Sequence, residues 1–408
     1  MTKRQHFFLI LILGSLTALG PFSIDMYLPS FPAIADDLHT TIERVAWSLS
    51  SYFVGISAGQ LLYGPLLDKF GRKKPLYVGL VIYLLASFGC MMAASVNSLI
   101  ALRFIQAIGS CAAAVAAVAM VRDLFPIEEN AKVFALLMLV VGASPMVAPT
   151  VGGYVTSAWG WHAIFLILAI IAVLILLAVI FFLPDRYVPN RELSLKPRPI
   201  LNGFWVVLKN PQFYTYAFTG AIAFAGLFAY VAGSPLVFMK IYNVSEKAYG
   251  WIFAGLSVGF IGSSQVNSLL LKRYSSKQIV PVVLIAQAVF GVLFLLGAYY
   301  HLLGLAGTLV MLFLLLCCIG LINPNASAMS IAPFEHNAGT ASALMGAVQL
   351  GIGALASVGV GMFDSPTVIP LAGIMAAAAV LSFVVYFIGR SNIKVTTMAE
   401  GGSAAAFH

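Results

Sequence analysis

Apolar runs of about twenty residues follow one another along most of this chain, separated by short segments that hold nearly all of its charge. A helix rises 1.5 Å per residue, so about 20 apolar residues cross the ~30 Å hydrocarbon core of a bilayer. The pattern predicts twelve such helices, over 7–30, 45–67, 75–95, 98–121, 132–156, 162–183, 212–238, 247–270, 277–299, 303–329, 337–363 and 366–389. One interruption stands out. The stretch from Pro184 to Pro211 carries five prolines and five basic residues, and it divides the chain into a six-helix bundle at 1–183, a linker at 184–211 and a second six-helix bundle at 212–394. A small, flexible tail fills 395–408; from Met398 it reads as an appended remnant and is set apart from the fold.

Composition agrees with this all-α, polytopic membrane architecture. With 61% hydrophobic residues, 9% charged residues and a mean hydropathy of +0.99, the 408-residue chain has more apolar surface than a soluble core could cover. Eighteen of its 22 Lys and Arg fall on the side of the N-terminus, against Arg44, Lys240 and Lys247 on the other and Arg103 within a span. Basic loops stay in the cytoplasm, so both termini are expected there. The net charge of +8 is accordingly a record of topology, and its scatter over many loops argues against a nucleic-acid partner. The run after Met1-Thr2-Lys3-Arg4 lacks a small-x-small cleavage site and reads as a retained first span. Cys90, Cys111, Cys317 and Cys318 all lie in apolar spans, as small packing residues.

The two bundles look like a diverged parallel repeat, the arrangement of secondary transporters. Pro29 to Asp68 spans 39 positions and Pro235 to Lys272 spans 37, each pair crossing one loop and one helix to a basic turn. In that overlay Asp25 corresponds to Val231, and the second turn, Lys272-Arg273-Tyr274-Ser275-Ser276-Lys277, has neither acid nor glycine. Ion chemistry is therefore expected in the first bundle.

Of the fourteen acidic residues, only Asp25 lies within an apolar span. An ionised carboxylate there costs about 2.5–3.5 kcal/mol on insertion scales, and loss of water favours the protonated form of a carboxyl group. Both suit a group that binds and releases protons; the plainer alternative is an acid near the helix end that meets water. Arg103, about 7 Å into its helix at 1.5 Å per residue, lies at comparable depth and is the expected partner of Asp25 in a shared cavity. The alternative is a purely structural buried ion pair. No phosphate-binding glycine loop, no His/Cys metal cluster and no Ser/His/Asp set occurs, so the sequence points away from an enzyme, a metal or a cofactor and towards an ion gradient as the energy source.

Three segments carry a family resemblance. Gly64-Pro65-Leu66-Leu67-Asp68-Lys69-Phe70-Gly71-Arg72-Lys73-Lys74 resembles the signature loop between helices 2 and 3 of the major facilitator superfamily of transporters. Arg103, Gln106 and Gly109 resemble its helix-4 motif, whose arginine is associated with proton coupling, although Ala107 stands where glycine is common. Gly142 to Gly153 holds Pro145, Pro149, Gly152 and Gly153; its end resembles the motif associated with antiporters, whereas Ser144 and Pro145 depart from it, and a Gly/Pro-rich helix also serves simple packing.

With Ser23-Ile24-Asp25-Met26-Tyr27-Leu28-Pro29, these make residues 5–390 similar to the twelve-helix drug/proton antiporters of the bicyclomycin- and chloramphenicol-resistance group. The resemblance implies a bacterial inner-membrane antiporter, acting as a monomer, that exchanges a small amphipathic organic solute for protons by alternating access. It also implies a cytoplasmic latch built on Gly64, Asp68, Gly71 and Arg72 with Asp123 of helix 4. Substrate contacts are expected from helices 1, 4, 7 and 10, at Tyr27, Gln106, Phe224, Phe228, Tyr230 and Asn325. Export of a specific metabolite such as an amino acid, siderophore or sugar is the alternative on the same fold, and a non-transporting receptor or scaffold is the alternative of another class.

Overall fold

The computed structural model describes residues 3–184, 187, 189, 197–334, 338–363 and 367–393. The expected tail at 395–408 and linker residues 185, 186, 188 and 190–196 lie outside them. The described chain is helical: α1 (Lys3–Asp25), α2 (Phe31–Asp37), α3 (Ile42–Phe70), α4 (Lys73–Met91), α5 (Val96–Leu124), α6 (Ile127–Trp159), α7 (His162–Phe182), α8 (Pro197–Leu208), α9 (Pro211–Pro235), α10 (Glu246–Leu270), α11 (Ser276–Tyr299), α12 (Leu305–Ile331), α13 (Ala338–Gly361) and α14 (Ile369–Gly389). All but α2 and α8 are 19 to 33 residues long. Among the described residues, ten segments are long and apolar enough to cross a membrane, and α3 and α10, of 29 and 25 residues, are as long but more polar. Both pack against the other group of helices, α3 on α13 and α10 on α6. A helix that faces protein rather than lipid needs less apolar surface.

The first span differs from the sequence expectation. A single helix over 7–30 was expected, but α1 stops at Asp25, a 3₁₀ turn follows at Leu28–Ser30, and α2 completes the crossing. Pro29 and Pro32 account for the break, because each lacks the N–H that would continue the helical ladder. The repeat-related position behaves alike: α9 ends at Pro235 and gives way to a π-helical turn over Leu236–Ile241. The leading helix of each group thus loses its regular backbone at the same end of the molecule.

The α1, α3, α4, α5, α6 and α7 helices pack among themselves, as do α9 to α14. At the end of the molecule remote from both termini, the α3/α13 seam is closed. Lys240 Nζ lies 3.0 Å from Glu43 Oε1, Trp47 Nε1 donates to the Gly361 carbonyl at 3.0 Å, and Ser50 and Ser357 share a 2.7 Å hydrogen bond. At the end that carries the termini, a cavity of about 420 Å³ opens between α3, α5 and the start of α13, lined by Gln60, Asp68, Arg72, Arg122 and Ser342.

Glu43 stands in the first turn of α3, ahead of the predicted span. Burial alone would push its carboxyl up, but the backbone at the helix start and the Lys240 ammonium outweigh burial and hold it below the usual 4.5. Stabilisation from the ionised form is therefore complete above the usual carboxylate range and is lost only as pH falls through the lower folded value. In an Asp25→Asn background, where Glu43 is the seam's remaining acid, spin-label distances between His39 and Met362 are expected to stay constant from pH 8 to 5.5. Glu43→Gln is expected to raise the open population about two- to five-fold, the size of a partly exposed ion pair.

Candidate functional site

Asp25 is the last residue of α1 and is only 5% exposed. No hydrogen bond or ion pair reaches its carboxylate from any described residue. Its surroundings come from both groups of helices. Tyr230 of α9 and Tyr249 of α10 stand within electrostatic range. The Tyr249 hydroxyl is engaged with Ser234 Oγ at 2.8 Å, whereas the buried Tyr230 hydroxyl has no partner. At 5% exposure, Asp25 is largely covered by protein.

Arg103 of α5 is fully buried in a separate pocket. Its Nη1 donates to Gln106 Oε1 at 2.6 Å and its Nη2 to the Ser23 carbonyl at 3.0 Å, while Nε has no partner. The guanidinium carbon lies 4.1 Å from the Tyr52 ring centroid and 4.6 Å from that of Tyr27, so aromatic faces supply the negative potential that a carboxylate would otherwise give. A second layer fixes this pocket. Gln106 Nε2 donates to Ser87 Oγ at 2.8 Å, Tyr52 donates to Ser110 at 2.8 Å, Ser23 shares a 2.6 Å bond with Tyr83, and Tyr27 shares a 2.8 Å bond with Ser48.

The expected Asp25–Arg103 pair is therefore not formed. Helical phase is the reason: residues two apart are turned by about 200°, so the Ser23 face of α1 meets Arg103 while Asp25 looks the other way, towards α9 and α10. The polar groups of two residues expected to contact substrate, Tyr27 and Gln106, belong to the arginine pocket. Asn325 is also committed elsewhere. Its amide donates to Asn267 Oδ1 at 2.6 Å and its oxygen accepts from Ser276 at 2.8 Å, tying α12 to α10 and α11. Phe224, Phe228 and Tyr230 of α9 remain near the interface. Phe228 packs edge-on against Phe53 of α3 at 4.5 Å and against Phe224 at 5.4 Å, and Tyr230 stacks on Phe253 at 5.2 Å. Tyr52, Tyr83 and Tyr249 were not singled out from sequence; their spacing carries no signal in a chain this rich in aromatics.

The α6 motif explains how the Asp25 turn is held. A side chain at Gly152 would run into the Met26 backbone, and one at Gly153 would meet the Glu246 carbonyl at 2.5 Å. The two glycines therefore let α6 lie between the Asp25 turn and the start of α10. Pro145 and Pro149 lie within α6, and the Pro149 carbonyl and Thr150 in turn approach Gly250 of α10.

At the terminal end, Gly71 closes α3 with a positive φ of 86°. Such a backbone favours glycine. Arg72 then reaches Asp68 Oδ1 through Nη1 and Asp123 Oδ2 through Nε, both at 2.7 Å. Burial works against the Arg72 charge, but hydrogen bonds to Asp123 and Asp68 outweigh it and raise its proton affinity above the usual value. Gly64 has nothing within 4 Å of a would-be side chain and borders the cavity described above. All three charged partners belong to α3, the turn after it and α5; among the described residues no ion pair joins them to the helices after 211.

Gly152→Ala is expected to cost about 1–3 kcal/mol by overpacking the Asp25 turn, lowering the melting temperature in detergent and slowing transport. Gly142→Ala in the same helix, whose nearest neighbour is the Ile261 side chain at 3.7 Å, is the control expected to do neither.

The profile of the Major Facilitator Superfamily matches residues 13–358. The bicyclomycin resistance protein homolog of Haemophilus influenzae is 32% identical over 96% of this chain and 98% of its own length. The chloramphenicol resistance protein of Pseudomonas aeruginosa is 29% identical over 84% of this chain and 81% of its own. Among solved structures, a D-xylose–proton symporter superposes with a TM-score of 0.75 over 93% of this chain and 97% of its own, at 13% identity, which is a likeness of fold. By this match, over most of its length, the chain belongs to the Major Facilitator Superfamily.

Proposed function

We propose that this chain exports small amphipathic organic compounds, of the kind named by its drug-resistance relatives, in exchange for protons. It does so by alternating access in a bacterial inner membrane. The observation that carries this reading is Asp25: a carboxyl 5% exposed, without a hydrogen-bonding or charged partner among the described residues, at a broken helix end between the two groups of helices. An ionised carboxylate in that place has no neutralising partner among the described residues. A proton can, and so can the passage of a substrate that brings its own polar groups.

The end that carries the termini holds most of the Lys and Arg, so it faces the cytoplasm. The closed seam at Glu43, Lys240 and Trp47 then lies outside, and the cavity beside Asp68 and Arg72 is the cytoplasmic approach. In this state substrate enters from the cytoplasm while Asp25 is shielded from the exterior. Opening the outer seam exposes Asp25 to external protons, which discharge the substrate, and reclosing delivers the proton inside. One charge crossing 100 mV is worth about 2.3 kcal/mol, which supports a concentration ratio of some tens-fold. The side chains of Phe53, Phe224, Phe228 and Tyr230, packed together in this state, would offer an apolar, poorly ordered ligand body aromatic faces once the groups move apart around them. The chain works as a monomer with no cofactor; its energy source is the gradient.

Asp25→Asn preserves shape and removes titration. In proteoliposomes, uptake of a fluorescent amphipathic drug against an imposed pH gradient is expected to fall at least about tenfold, while exchange of labelled for unlabelled drug without a gradient continues. Gradient-driven transport by Asp25→Asn at the wild-type rate would remove Asp25 from the mechanism.

A further inference from the structure

The charge cluster at the end of α3 has a fourth member that comes from the segment joining the two groups of helices. Tyr187, five residues after the end of α7, lays its ring over Arg72, with the guanidinium carbon 3.8 Å from the ring centroid. Its hydroxyl donates to the Asp68 carbonyl at 3.4 Å. Two residues further on, Pro189 Cγ lies 3.3 Å from where a side chain at Gly71 would begin. These contacts fall on three successive parts of the turn: Asp68, Gly71 and Arg72.

The chemistry of the guanidinium explains why a ring belongs there. Arg72 directs its in-plane donors to Asp68 and Asp123, leaving its flat faces without hydrogen bonds. An aromatic face covers one of them and fixes the plane, so that both carboxylates are reached at once. The Arg72 side chain is only 11% exposed as a result, although Asp68 is 50% exposed. The same segment continues to α8, which packs on α9 and on α13, where Val207 is buried with Phe213 and Ala341. One side of this connection therefore rests on the Arg72 cluster and the other on the second group of helices, beside the part of α13 that lines the cavity with Gly339, Ser342 and Ala343.

We propose that Tyr187 is a positioning residue for Arg72, and that through it the connecting segment makes the charge cluster respond to movement between the two groups of helices. The ring is in place in the state seen here, open at this end; when the groups close at this end, α8 and the start of α13 move in on the cluster and the ring leaves Arg72. The plane of the guanidinium is then free, the Asp68–Arg72–Asp123 geometry loosens, and the end of α3 follows. This rests on the alternating-access reading above but not on the identity of the exported compound or on proton coupling.

The test is spin-label distance measurement between Lys74 and Lys272, exposed on the two groups at this end, with no substrate and at fixed pH. Tyr187→Leu is expected to change the ratio of the two distance populations roughly three- to thirty-fold, the range for a half-buried cation–π contact, and to alter turnover with KM unchanged. Tyr187→Phe and Tyr187→Trp, which keep a ring over Arg72, are expected to behave as wild type. In an Arg72→Ala background, Tyr187→Leu is expected to add nothing further. The proposal is overturned if Tyr187→Leu leaves the distances unchanged, if the aromatic variants fail to rescue them, or if the effect persists without Arg72. Two distance populations in the wild type with no gradient-driven drug movement in proteoliposomes would count against the antiport reading instead.

Discussion

A carboxylate enclosed by protein within a membrane must be neutralised by a cation, a proton or a set of hydrogen-bond donors. Among the described residues Asp25 has no cation beside it and no donor bound to it. What stands nearby is the unpartnered hydroxyl of Tyr230 and the hydroxyl of Tyr249, both from the second group of helices. The cation at comparable depth, Arg103, is held away by Tyr27, Tyr52, Gln106 and the Ser23 carbonyl. Acid and base are therefore kept in separate compartments on opposite faces of one helix. That separation leaves the acid responsive to whatever enters from either side, and it gives the arginine a constant task, bracing α1 against α5.

The backbone around Asp25 is as important as its charge. Pro29 and Pro32 end the regular helix just beyond it, and Gly152 admits α6 directly against Met26. The Asp25 turn is thus clasped between α6 of its own group and α9 and α10 of the other. A change in how the two groups pack must alter the surroundings of this carboxyl, and a change in its charge must alter the packing; linkage makes the two reciprocal. At the outer end the seam is fastened by contacts that cross between the groups, Glu43 with Lys240 and Trp47 with Gly361. At the inner end the Arg72 cluster is internal to the first group, with Tyr187 reaching it from the connecting segment. The two ends are therefore fastened by different means.

Most of the helical architecture was legible in the sequence, because an apolar run of membrane length has few alternatives to a helix. The break after Asp25 was legible in principle from Pro29 and Pro32, and was missed because the residues after Asp25 stay mostly apolar as far as Ala35. Asp25 itself stood out because an acid in an apolar span has a cost that demands a reason. Its partner did not. Depth along the bilayer put Asp25 and Arg103 level, but azimuth decides contact, and Ser23 and Asp25 face opposite ways. The aromatic pocket around Arg103, the Glu43–Lys240 pair and the Tyr187 contact join residues 51 to 197 positions apart, and nothing in local spacing encodes such pairings.

Proton release on substrate binding tests the central claim most directly. Purified protein in weakly buffered detergent solution, with a pH-sensitive dye, is mixed with an amphipathic drug near neutral pH. If Asp25 alternates between proton and substrate, roughly one proton per bound drug should appear in solution, and none should appear with Asp25→Asn although the drug still binds. Equal release from both proteins, or binding by the wild type with no release at all, would contradict the account.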